Sequence, residues 1–152
     1  MRAKLQRAYS SEFLFYQSHH QNESNWRIHC ICIPLEWLSW FLILSCIRYV
    51  AVVFATAVAS YYVVIGSDAS VKSVITIAAL CYFAIVTHAF LSLRYAFYLA
   101  AVLQLTAWFV QVKIGHYYFE KNSPGMLKKL TLNSVVLSLL MALEAFNDKS
   151  LG

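Results

Sequence analysis

Apolar and polar residues alternate along this chain on the scale of whole helices. Residues 5–18 mix aromatic and polar side chains in the manner of a short amphipathic helix lying on a membrane surface. From Trp26 the chain is apolar through Pro34 to Ile47, and Arg48 and Tyr49 then interrupt it. A second run covers Val50 to Ile65 and stops at Gly66, Ser67 and Asp68, a turn signal. A third extends from Val74 to Leu93, Arg94 breaks it, and a fourth continues from Tyr95 to Val112. A bilayer span needs roughly 20 apolar residues. The first run, broken by polar residues, and the second are short of that, a shortfall that tilt, local thinning or tight pairing absorbs. A last apolar piece, Leu132 to Leu143, is only about a dozen residues long and ends at Glu144, which predicts a re-entrant or interfacial helix. The pattern therefore predicts an all-α integral membrane bundle of about four transmembrane helices. An N-terminal amphipathic helix and the C-terminal helix complete one membrane-embedded domain over residues 1–152, with no internal repeat.

Composition agrees with a membrane class. Hydrophobic residues make up 61% of the chain and charged residues 12%, with a mean hydropathy of +0.60, outside the range of ordinary soluble domains. The net charge of +5 comes from basic residues scattered between apolar runs, not from a stripe or arm, which argues against nucleic acid as a partner. Arg2, Lys4, Arg7 and Arg27 precede the first span, and Lys121, Lys128 and Lys129 follow the fourth, so both termini are expected on the cytosolic side. Cys30, Cys32, Cys46 and Cys81 border or lie within apolar stretches and read as reduced thiols packed as small hydrophobes. Cys30 and Cys32 lack the second pair that a structural zinc site requires.

Two polar clusters bracket the apolar core. Asn22, Asn25 and His29 are three and four residues apart and share a helical face. His20 joins them only if the chain bends near residues 21–24, where Asn22, Ser24 and Asn25 supply helix-capping side chains. After the fourth run, His116 and Glu120 are four apart and point the same way. With four crossings, His29 and His116 lie on one membrane side, whereas His88 belongs to the other. Three imidazoles, His20, His29 and His116, beside a carboxylate suit ferrous iron, zinc or manganese better than calcium or magnesium. Asn25, Gln111 and Glu120 are candidates to hold the ring nitrogens not bound to metal. His19 reads as a solvated neighbour, Glu144 as a further carboxylate candidate, and Glu36 as a polar contact within a span.

The runs Tyr16 to Pro34 and Trp108 to Pro124 resemble the two signature segments of the small endoplasmic-reticulum 2-hydroxy-fatty-acid dioxygenases, of the fungal phytosphingosine-degradation type. His20, Asn22, Asn25, His29 and Pro34 match the first pattern. Trp108, Gln111, Gly115, His116, Phe119, Glu120, Lys121 and Pro124 correspond to the second, with Gln111 one residue farther from Gly115 than the pattern expects. On an α-helix that extra residue rotates Gln111 by about 100°. Cys32, Glu23, Gly125 and Met126 also depart from the pattern, and none of them is a candidate ligand.

The resemblance implies an Fe²⁺-dependent dioxygenase of the endoplasmic-reticulum membrane. It would shorten a 2-hydroxy long-chain fatty acid by one carbon with O₂, releasing CO₂, with His20, His29 and His116 as ligands and Asn22, Asn25, Gln111 and Glu120 around them. A non-enzymatic membrane scaffold or carrier, whose polar clusters only organise helix ends, is the alternative. A desaturase-type dimetal enzyme needs about eight imidazoles, and the chain has five histidines. A haem protein needs facing ligands inside the bundle, where only His88 is expected.

Overall fold

The structure, a computed structural model, describes residues 2–47, 49–125 and 132–150. Arg48, Met126, Lys128 and Lys129 lie outside the described residues. The described chain is helical: α1 (Arg2–Ser18), α2 (Glu23–Leu44), α3 (Val50–Ile65), α4 (Ser70–Phe90) and α5 (Leu93–Phe109). α5 continues unbroken into a π-helix (Val110–Glu120), and α6 (Leu132–Ser150) closes the fold.

Local chemistry explains the boundaries. Asn22 caps α2, its Oδ1 accepting the backbone N–H of Ser24 at 2.9 Å and of Asn25 at 3.4 Å. Starting there makes α2 a 22-residue helix that begins and ends three residues before its apolar run. Pro34 removes one backbone donor within it, freeing the carbonyl one turn earlier. α3 ends at Gly66, in the left-handed region at φ 65°, whose N–H returns to Tyr62.

Three helices are long and apolar enough to cross a membrane: Glu23–Leu44, Ser70–Phe90 and Leu93–Glu120. α3, at 16 residues, rises about 24 Å, short of the roughly 30 Å hydrocarbon core. Among the described residues three helices thus have full spanning length, α3 is a shorter apolar helix as its run predicted, and the up-and-down order holds. The end of α3 returns to α1, where Gln6 Nε2 donates to the Ile65 carbonyl at 3.1 Å. α4 then descends to the far end of α2, where His88 Nε2 meets the Leu42 carbonyl at 2.9 Å. α5 rises antiparallel to α2 and packs along it, with α4 and α6 on its other sides.

The packing has the inverted character of a membrane protein. α5 buries Ala96, Ala100 and Ala107, while Phe97, Val102 and Leu105 face outward. Lipid is as apolar as a leucine side chain, so close approach of small residues and interhelical hydrogen bonds hold such bundles. Here those bonds converge on α6. Trp37 Nε1 donates to Ser138 Oγ at 3.1 Å, and the Tyr62 hydroxyl donates to the Val136 carbonyl. Glu144 Oε2 accepts both the Tyr9 hydroxyl and the Ala69 N–H at 3.3 Å. α6 is longer than its dozen-residue apolar run and is a core element, with Leu137, Leu139, Leu140 and Ala142 fully buried.

Candidate metal centre

Three elements meet at one end of the bundle: the turn after α1, the first two turns of α2, and the last turn of the π-helix. They bring His20, His29 and His116 together, with ring centroids 4.2 Å (His20–His29), 4.9 Å (His20–His116) and 4.9 Å (His29–His116) apart. One nitrogen from each lies within 4.8 Å of the others, and all three residues are buried. The chain turns at residues 19–22, between α1 and α2, which is the bend His20 required.

Backbone carbonyls set the tautomers. His20 Nδ1 lies 2.6 Å from the Tyr16 carbonyl and His29 Nδ1 lies 3.0 Å from the Asn25 carbonyl, each four residues back. A carbonyl only accepts, so Nδ1 carries the proton in both rings and Nε2 keeps the lone pair. His116 Nδ1 is buried with no hydrogen-bond partner among the described residues, a costly state for a polar atom. Burial first, and the neighbouring His29 second, hold the His20 imidazole well below its ordinary titration range, so it is neutral. The Tyr16 ring stacks on His20 at 3.9 Å. Three converging imidazoles, one with an orphaned nitrogen, fit a transition metal that favours nitrogen donors, and among the described residues no carboxylate joins the group.

Glu120 is a clamp. Its Oε1 accepts the Gln21 N–H at 2.8 Å, and its Oε2 accepts the Asn22 N–H at 2.9 Å and Asn25 Nδ2 at 3.0 Å. One carboxylate therefore ties the His20 turn and the start of α2 to the π-helix. Its negative charge also suits the α2 N-terminus. Asn25, wholly buried, gives its carbonyl to His29 and its amide to Glu120 and the His19 carbonyl, and its Oδ1 has no hydrogen-bond partner among the described residues. Gly115 makes this approach feasible: a Cβ there would collide with Asn25 Oδ1 and sit 3.5 Å from His29 Cε1.

The π-helix changes the fate of Gln111. Its backbone bonds close five residues apart, so Gln111 and His116 fall much closer to one face than on an α-helix. Both line the same cavity. Gln111 Nε2 donates to Glu36 Oε1 at 2.7 Å, so its amide serves Glu36 and not a histidine. His19, expected in solvent, is buried and lines the cavity, with Nδ1 3.0 Å from the Phe15 carbonyl. Glu144 belongs to the α1–α6 latch, away from the imidazoles, and His88 lies at the opposite end of α2. Cys32, Cys46 and Cys81 are free thiols, and Cys30 Sγ donates to the Ala142 carbonyl at 3.4 Å.

A cavity of about 320 Å³ opens from the histidines and runs down α2. His29, Ile33, Glu36 and Trp40 line it from α2, at spacings that keep one helical face. Trp108 and Gln104 line it from α5, and Ser138 and Met141 from α6. Sequence reasoning singled out neither Tyr16 nor Gln104, and read Glu36 only as a polar contact. The seven-residue step from His29 to Glu36 was the available signal. Chemically, the arrangement pairs a nitrogen-rich pocket that could hold a metal with a trough walled by α2, α5 and α6.

A family model described as Mpo1-like, 2-hydroxy-palmitic acid dioxygenase Mpo1-like, matches residues 6–73 and 69–150. No curated protein and no solved structure matches the chain.

Proposed function

The chain belongs to the Mpo1-like family, and from that premise we propose that it is an Fe²⁺-dependent dioxygenase acting on 2-hydroxy long-chain fatty acids. The family description carries a dioxygenase, and three helices make the chain a membrane protein. The observation that supports the finer reading is the buried group of His20, His29 and His116 at the head of a long trough.

The reaction balances without a further reductant. A 2-hydroxy acid and O₂ give the acid one carbon shorter, CO₂ and water. The bond between C1 and C2 breaks, C1 leaves as CO₂, and C2 becomes the new carboxyl carbon. Together they give up the four electrons that one O₂ accepts. Ferrous iron, when bound, supplies the redox chemistry of O₂ and the Lewis acidity that gathers hydroxyl and carboxylate. His20, His29 and His116 would hold it through nitrogens kept unprotonated by burial and by the carbonyl bonds on His20 and His29 Nδ1. Glu120, Asn22 and Asn25 fix the His20 turn, and the trough orients the acyl chain and keeps bulk water from the reacting end.

With this reading go a location in the endoplasmic-reticulum membrane, taken from the resemblance, and both termini in the cytosol, taken from charge placement. The lipid bilayer supplies the substrate. The test is anaerobic purification in detergent, elemental analysis, and addition of 2-hydroxypalmitate with O₂. One iron per chain and formation of the acid one carbon shorter are expected. No bound metal, and no product after ferrous reconstitution, would leave the non-enzymatic scaffold or carrier.

A further inference from the structure

Farther down the trough sits a second polar cluster that the metal chemistry does not use. Glu36 follows His29 by seven residues on the same face of α2, two turns and roughly 10 Å along the helix. It lines the cavity together with Gln104 and Gln111. Gln111 Nε2 donates to Glu36 Oε1 at 2.7 Å, and Ser39 Oγ lies 2.5 Å from Gln104 Oε1. Each pair occupies one atom of its partner. Glu36 Oε2 and the second amide atom of Gln104 are left without a protein hydrogen-bond partner among the described residues.

A carboxyl group within a membrane span is costly and normally faces a cavity or a partner. Leaving its second oxygen and an amide atom against bare methylene groups would be costly, because neither would replace its hydrogen bond to water. A hydroxyl both donates and accepts, so with Gln104 Oε1 taken by Ser39 Oγ it can donate to Glu36 Oε2 and accept from the Gln104 amide N–H at once. The trough is open to lipid at this level. Trp40 and Trp108 line it while 49% and 54% exposed, and α5 does not pack appreciably on α6.

We infer that Glu36, Gln104 and Gln111 form a recognition subsite for a hydroxyl group carried partway along the lipid chain, roughly 10 Å from the histidines. The inference rests on the proposed function for the end at which the carboxylate sits. The ligand class is a long-chain 2-hydroxy acid bearing a second hydroxyl near its middle. Trp40 and Trp108 give the readout.

The full-length protein, as purified, is titrated by tryptophan fluorescence with 2-hydroxypalmitate and with analogues whose second hydroxyl is walked along the chain. A mid-chain hydroxyl should tighten binding at least about tenfold, since a site built to bond a hydroxyl penalises its absence. Glu36→Leu and Gln104→Leu should each erase that preference, Glu36→Leu by weakening the dihydroxy acid and tightening the plain one. Dissociation constants within twofold for every hydroxyl position on the wild-type protein would overturn the subsite. Turnover of 2-hydroxypalmitate, measured in parallel, separates the two claims. Turnover with a flat affinity series removes the subsite and keeps the oxygenase. A peaked series without turnover keeps the subsite and removes the oxygenase.

Discussion

Glu120→Gln isolates the role of the clamp. The substitution keeps the side-chain shape and removes the charge. The amide oxygen can replace Oε2 and hold Asn22 N–H and Asn25 Nδ2, which the carboxylate binds at 2.9 and 3.0 Å. The amide nitrogen then faces the Gln21 N–H, a donor against a donor where the carboxylate accepted at 2.8 Å. That N–H is solvent-exposed, so water takes over part of the loss. A charged hydrogen bond contributes about 1.5–3 kcal/mol, and the exposed member puts Glu120→Gln near the lower end, about 1.5 kcal/mol. Glu120→Ala removes all three hydrogen bonds and leaves the amide of Asn25, which is wholly buried, with only the His19 carbonyl at 3.3 Å, so it should cost about 3 kcal/mol. The clamped turn carries His20, so the loss falls on metal affinity as well. About 1.4 kcal/mol is tenfold, giving roughly tenfold weaker metal for Glu120→Gln and roughly a hundredfold for Glu120→Ala, within the range for residues supporting a ligand. Chelator competition with ferrous ion and thermal melts of the metal-free protein measure both quantities. Metal affinity within twofold of wild type in both variants would refute the clamp. Complete loss of metal in Glu120→Gln with an unchanged melt would make Glu120 a ligand itself.

Alanine at His20, His29 or His116 should each abolish bound metal and product, whereas His88→Ala should retain both; metal analysis and product chromatography decide. Gly115→Ala places a methyl group against Asn25 Oδ1, and should destabilise the fold by about 1–3 kcal/mol with loss of metal, read by melting and elemental analysis. In the metal-free protein His20 resists protonation when folded and takes a proton near pH 6.5 when unfolded. Its contribution therefore vanishes above that pH, and stability falls as pH drops from about 6.5 toward the lowered folded value. Melts at descending pH should show this fall, and His20→Gln should flatten it; an equal slope in the variant would refute the assignment.

The bundle and much of its site were legible because they rest on periodicity. Asn22, Asn25 and His29 declare one helical face, and the capping residues after His20 declare the bend. What escaped depends on contacts between distant segments. Nothing in Val110 to Glu120 distinguishes an α-helix from a π-helix by composition, since the two differ by a one-residue shift of backbone bonding. The pairing of Gln111 with Glu36 follows from that shift and from the antiparallel register of α5 on α2. His19 was assigned to solvent because adjacency to His20 on a helix end says nothing about what packs over it; Gly125 and Phe15 do so. α2 begins three residues before its apolar run because its first turn is polar for reasons of chemistry at the site.

The three imidazoles also impose an order on biogenesis. His20 and His29 enter the membrane with the first helix, but His116 arrives only after α3, α4 and α5 have been threaded, and α6 walls the trough last. A nascent chain halted anywhere before the π-helix holds two of the three imidazoles and no trough. On the proposed function, metal capture is therefore a late event that waits for the third imidazole, and a partly inserted chain would not carry a redox-active ion beside lipid.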